Sequence, residues 1–177
     1  MLNPDFRDML FEFNAAGVEY LIVGGYAVGQ HGYPRATGDM DFWVRRSPEN
    51  AARVLHALAA FGAPEKLVTR DDLLDPDTVA QIGVEPNRID ILTAIDGVEF
   101  DDAYPDRVVV RLGDVDIPFV GLRHLIVNKR ATGRPEDAVD AARLEAIVPR
   151  GESQPRVETP APGTGAPKNG GAGRTPR

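Results

Sequence analysis

Apolar residues near the N-terminus recur at Phe6, Met9, Leu10 and Phe13, one face of a helix, between a start signal at Asn3-Pro4 and a stop at Gly17. Glu19 to Val23 (EYLIV) is a short apolar run closed by Gly24-Gly25, the pattern of a buried strand that turns tightly into a helix around Ala27 to His31. After Gly38, Met40, Phe42 and Val44 alternate with Asp39, Asp41 and Trp43, which predicts a strand with one polar edge. Ser47-Pro48-Glu49 opens a helix through Val54, Leu55, Leu58 and Phe61 that Gly62 ends. Val79 to Gly83 and Arg88 to Ile95 flank Glu85-Pro86-Asn87 as a hairpin, and Val108 to Leu112 pairs with Val115 to Val120 around Gly113-Asp114. Two helices follow, Leu122 to Ala131 and, after Gly133-Arg134-Pro135, Glu136 to Ile147.

Helical and strand patterns thus alternate over residues 1–150, which predicts an α/β (α+β) class domain. Its expected architecture is a small mixed β-sheet flanked by helices, mainly on one side, plus two C-terminal helices. From Gly151 to Arg177 the sequence is rich in Pro and Gly with almost no large apolar residue, so residues 151–177 are expected to be a disordered tail. At 177 residues the chain suits one domain with a real core. With no cysteine, any metal must sit on oxygen or imidazole ligands. The N-terminus has no basic segment followed by an apolar stretch, and nowhere do 18 apolar residues run together, so no membrane contact and a cytoplasmic location are expected.

Charge narrows the partners. The net charge is −7, and because the last 27 residues hold four basic and two acidic groups, residues 1–150 carry −9. Such a body lacks the broad basic surface that grips nucleic acid nonspecifically. A small anion bridged by a divalent cation suits it better.

Five features carry candidate chemistry. Asp39 and Asp41 lie two apart on a strand, on the same face and within ~7 Å, so either they share a divalent cation or they are two acids on a solvated edge. Gly24-Gly25 either lets a phosphate approach backbone amides or simply makes the turn; it is neither a Walker loop nor a dinucleotide fingerprint. Asp90, among Ile89, Ile91 and Leu92, is a carboxylate in a core strand and needs either a metal or a salt bridge, with Arg88 as the obvious partner. Lys129 and Arg134 either meet phosphate oxygens or close a helix end. Arg35 either binds phosphate or pairs with Asp39. Asp137 and Asp140 suit the last helix's N-terminal dipole or a pairing with Arg134. His31, His56 and His124 have no ligand spacing, and Trp43 reads as sheet packing.

The order of these features, with VGGYAVGQHGYPRATGDMDFWV (Val23 to Val44) and RIDIL (Arg88 to Leu92), resembles the nucleotidyltransferase family of the DNA polymerase beta superfamily. RATGDMD (Arg35 to Asp41) and KRATGRPEDAVD (Lys129 to Asp140) resemble its branch of abortive-infection, toxin-like and antibiotic-modifying members. The resemblance implies that the Gly24-Gly25 turn cradles a triphosphate and that Asp39, Asp41 and Asp90 hold two Mg²⁺ ions, with Mn²⁺ as a substitute. Arg35, Thr37, Lys129 and Arg134 join the implied nucleotide-binding set. Tyr26 stands where many members carry a phosphate-binding serine.

The function so implied is transfer of a nucleoside monophosphate from a nucleoside triphosphate, such as ATP, to an acceptor hydroxyl, releasing pyrophosphate. The acceptor classes so implied are a small molecule, a protein side chain or an RNA end. The alternative is a non-catalytic protein of the same fold that binds a nucleotide or a cognate partner protein, as in a toxin–antitoxin pair. Structural Ca²⁺ on these acids is a third reading.

Overall fold

The computed structural model describes residues 2–148; the segment expected as a tail lies outside the described residues. In chain order the elements are α1 (Pro4–Ala15), β1 (Tyr20–Val23), α2 (Gly24–Gln30), β2 (Asp39–Val44), α3 (Pro48–Phe61) and a single 3₁₀ turn at Asp72–Leu74. There follow β3 (Val79–Ile82), β4 (Arg88–Leu92), α4 (Phe100–Ala103), β5 (Val108–Leu112), β6 (Val115–Phe119), α5 (Leu122–Ala131) and α6 (Pro135–Glu145). The starts of α1 and α3 are those the sequence signals, whereas α2 begins at Gly24, directly after β1, rather than near Ala27. Asn3 Oδ1 accepts from the amides of Asp5 at 2.7 Å and Phe6 at 3.4 Å, with Pro4 opening α1, and Ser47 Oγ accepts from the Asn50 amide at 3.2 Å. Gly62 ends α3 at φ 89°, a left-handed turn that glycine makes without steric cost.

The six strands form one mixed sheet in the order β3-β4-β2-β1-β6-β5. β1 runs antiparallel to β2, whereas β2 pairs parallel to β4 and β1 parallel to β6. The two hairpins, β3–β4 and β5–β6, are the antiparallel outer pairs. Tyr20 and Phe42 share one face of the sheet, where the Phe13 ring of α1 meets both edge-on at 5.3 and 5.1 Å. Trp43 points the other way, its buried ring edge-on to Phe100 of α4 at 5.0 Å, and so is sheet packing as expected. α1 and the short α4 therefore stand on opposite faces of the sheet. β4 stops at Leu92 rather than Ile95, because Ile95 bridges back to Val98 in a tight turn.

One buried polar residue ties α3 to the sheet. Asn50, fully buried, accepts from the Glu19 amide at 2.8 Å and donates to the carbonyls of Glu19 and Arg45, both at 3.0 Å, so its amide is satisfied without water. Among the described residues no helix is long and apolar enough to cross a membrane.

Candidate metal and nucleotide site

The parallel pairing of β2 with β4 builds the site. Its register sets Asp39 level with Arg88 and Asp41 level with Asp90. Because side chains on a strand alternate, Asp39 and Asp41 share a face of β2, Arg88 and Asp90 share the corresponding face of β4, and the four groups form a square. Carboxylate oxygens of Asp39, Asp41 and Asp90 all lie within 4.8 Å of one another.

Gly24 lies directly against this group. Its backbone has φ +63°, and a Cβ there would stand 1.9 Å from Asp41 Oδ2, so both conformation and space demand glycine. At Gly25 a Cβ would stand 2.7 Å from Thr37 Oγ1, so that glycine lets the segment before β2 close onto α2. Thr37 in turn donates to Asp39 Oδ1 at 3.0 Å and to the Asp39 carbonyl at 3.2 Å.

The three acids are unequally partnered. Arg88 donates to Asp39 Oδ2 at 2.6 Å and to both oxygens of Asp90 at 2.8 and 3.1 Å, and Gln81 reaches Asp90 Oδ2 at 3.4 Å. Asp41 has no side-chain hydrogen bond or ion pair among the described residues. Burial, then the negative charges of Asp39 and Asp90, pushes its carboxyl up to about 6, against the weaker pull of Lys129 and Arg88.

Across the cleft, α5 and α6 carry a second charged group. Lys129 is 5% exposed and pairs with Asp137 in a short hydrogen bond and with Asp140 at 3.5 Å. Asp137 also accepts from Thr132 Oγ1 at 2.8 Å and pairs with Arg134 at 2.8 Å, while Arg35 reaches Asp140 at 3.2 Å. Although burial pushes the Asp137 carboxyl up, the bonds from Lys129 and Thr132, with the charges of Lys129 and Arg134, hold it below its ordinary value. Lys129 is thus no solvated helix end, and Arg35 pairs with Asp140 rather than Asp39.

Gly24, Gly25, Arg35, Thr37, Asp39, Asp41, Asp90, Lys129 and Arg134, the whole of the expected catalytic and nucleotide-binding set, line one cleft of about 480 Å³. Sequence pattern alone gave no site role to Arg88, though its place two before Asp90 puts it on the acids' face. It also missed the buried anchoring of Lys129 by Asp137 and Asp140. That signal was present: Lys129 follows Leu125 by four, and Asp137, Asp140, Ala141 and Leu144 fall on one stripe of α6, so charges occupy core positions.

No family model matches the chain, and no curated protein matches it either. Among solved structures it is similar to a Thermotoga maritima protein described as a candidate nucleotidyltransferase, with a TM-score of 0.52 and 14% identity over 82% of this chain and 96% of that one. At that identity the likeness carries the fold. The mixed six-stranded sheet flanked by helices is nucleotidyltransferase-like in fold.

Proposed function

We propose that this protein is a metal-dependent nucleotidyltransferase that moves a nucleoside monophosphate from a nucleoside triphosphate to an acceptor hydroxyl. In the reaction a bond forms between the acceptor oxygen and the α-phosphorus, the bond from that phosphorus to the bridging oxygen breaks, and pyrophosphate leaves. The observation that carries this reading is the β2–β4 register, which sets three carboxylates from two strands against the Gly24 backbone.

The residues fit a hard divalent cation such as Mg²⁺. All three candidate ligands are carboxylates, the donor type such ions prefer. Octahedral Mg²⁺, at ~2.1 Å from each ligand, holds oxygens up to ~4.2 Å apart, close to the spread seen here. Asp41, aimed into the cleft without a donor, is the acid that most needs a cation. When bound, such an ion would neutralise the triphosphate and lower the pKa of the acceptor hydroxyl.

The rest follows from this chain's own groups. Asp39 and Asp41 supply ligands from one strand, and Asp90 is the carboxylate placed to take the acceptor's proton. Gly24 keeps a side chain out of the space beside Asp41, where a phosphate could approach the backbone, and Gly25 lets Thr37 close onto the same turn. Lys129, fixed by Asp137 and Asp140, is a preorganised positive charge on the opposite wall, and Arg35 and Arg134 stand beside it. Catalysis would then consist mainly of positioning and charge neutralisation.

The test is incubation of the protein with each labelled nucleoside triphosphate, Mg²⁺ and cell extract, scoring pyrophosphate release and the labelled fraction. Label transfer that Asp39→Asn and Asp41→Asn abolish is the expected result. Absence of transfer and of any joint thermal stabilisation by Mg²⁺ and nucleotide would refute the proposal.

A further inference from the structure

Arg88 is the fourth corner of the acid square, and every nitrogen of its guanidinium donates a hydrogen bond. Nη2 donates to Asp39 Oδ2 at 2.6 Å and Asp90 Oδ2 at 3.1 Å, Nε donates to Asp90 Oδ1 at 2.8 Å, and Nη1 donates outward to Glu85 Oε1 at 2.9 Å. Thr37 holds the other oxygen of Asp39. Each oxygen of Asp90 and of Asp39 therefore already accepts from a donor, whereas those of Asp41 accept from none. Nε and Nη2 grip Asp90 as a planar fork, the bidentate geometry in which arginine binds a carboxylate best, and Nη2 also reaches Asp39.

We propose that Arg88 is the built-in counter-ion of this site: it fills the Asp39–Asp90 half of the triad in the ligand-free protein, and a divalent cation loads there only as the guanidinium withdraws towards Glu85. The inference rests on the nucleotidyltransferase reading above and adds to it what controls loading of the metal. Guanidinium and metal need the same oxygens, and two cations that close repel. Asp90, whose side chain is only 8% exposed, meets the fork with both its oxygens, so a cation sharing them would stand close beside the guanidinium charge with little water between to screen it. Glu85, with a 67% exposed side chain at the outer end of Arg88, keeps a partner for the guanidinium after it leaves the acids. Asp41, which has no donor to displace, becomes the first ligand. The free protein should accordingly bind a metal ion weakly, and the triphosphate, which brings its own oxygens, should be what tips the exchange.

The experiment measures Mn²⁺ binding to the full chain from the loss of the free-ion electron paramagnetic resonance signal. The proteins are wild type, Arg88→Met, Arg88→Lys and Asp41→Asn, each with and without a non-hydrolysable α,β-methylene triphosphate. Without nucleotide, Arg88→Met should bind Mn²⁺ roughly tenfold or more tightly than wild type, the equivalent of at least one charge-assisted hydrogen bond no longer displaced. Arg88→Lys, a point charge without the fork, should fall between them. A second readout uses wild type alone: the Arg88 Nε–H resonance, assigned by its absence from Arg88→Lys, should move when Mg²⁺ and the analogue are added together. It decides the matter if Arg88→Met does not fold. Equal Mn²⁺ affinity in wild type and Arg88→Met, or an Nε–H signal unmoved at saturating Mg²⁺ and analogue, overturns the proposal while leaving the acid site intact. If no form binds Mn²⁺ even with the analogue, the triad reading itself fails.

Discussion

Replacing Asp41 with asparagine should stabilise the metal-free protein, and by an amount that depends on pH in a defined direction. The folded carboxyl is pushed from 3.8 up to about 6 by burial and by Asp39 and Asp90. A carboxyl whose folded pKa is raised keeps its proton in the fold after the unfolded chain has lost it. Between pH 3.8 and about 6 the folded state therefore binds more protons than the unfolded state, and stability falls as pH rises. Above that window the fold bears the whole cost of an ionised Asp41. At ~1.36 kcal/mol per pH unit the interval gives a ceiling of about 3 kcal/mol, which solvent in the cleft reduces. Asp41→Asn removes this cost and preserves shape, so in chelator the variant should match wild type near pH 4 and exceed it by up to about 3 kcal/mol above pH 7. Denaturant melts of both proteins from pH 4 to 8 measure the difference, in which titrating groups remote from Asp41 cancel while Asp39 and Asp90, coupled to it, contribute. Mg²⁺ with a nucleoside triphosphate should reverse the order, stabilising wild type alone. A variant that tracks wild type at every pH, or is less stable than wild type at pH 7 in chelator, would refute the electrostatic account of this corner.

Asp90→Asn should separate binding from chemistry: calorimetric affinity for the triphosphate should survive better than turnover, which should fall at least ~10² if Asp90 takes the acceptor's proton. Lys129→Met leaves Asp137 and Asp140 buried beside a neutral side chain and should cost ~3–5 kcal/mol by denaturant titration, whereas an exposed helix-end lysine would cost almost nothing. A chain ending at Arg150 should melt within a few degrees of full length by scanning calorimetry, because the residues removed hold almost no apolar surface to bury.

The strands and long helices were legible in the sequence because each carries its own period and stop signal. Period two was enough to put Asp39 and Asp41 on one face, and the caps at Asn3 and Ser47 marked two helix starts. What periodicity cannot give is which strands become neighbours. That β4 lies parallel to β2 with Asp90 level with Asp41 is a tertiary fact, and without it Arg88 reads as a rival to metal binding. In the structure the salt bridge and the candidate metal ligands are the same residues. Lys129 was legible only as a basic residue near a helix end, where a dipole account suffices; its burial depends on α6 packing against α5. The 3₁₀ turn at Asp72–Leu74 and α4 are too short to express a helical period, and neither was foreseen.

The acids of the cleft come from positions far apart in the chain, since Asp41 and Asp90 meet only through the pairing of β2 with β4. A partly opened protein in which β4 has left the sheet keeps Asp39 and Asp41 but loses both Asp90 and Arg88. It can neither complete a cation's coordination nor neutralise the two acids that remain. Whatever binds in this cleft therefore binds only molecules whose central sheet is closed. Its binding energy should appear as slower exchange of the amides along β2 and β4, deep in the protein, rather than as the quieting of a surface loop. In this chain the ligand would act as the last strand contact of the fold.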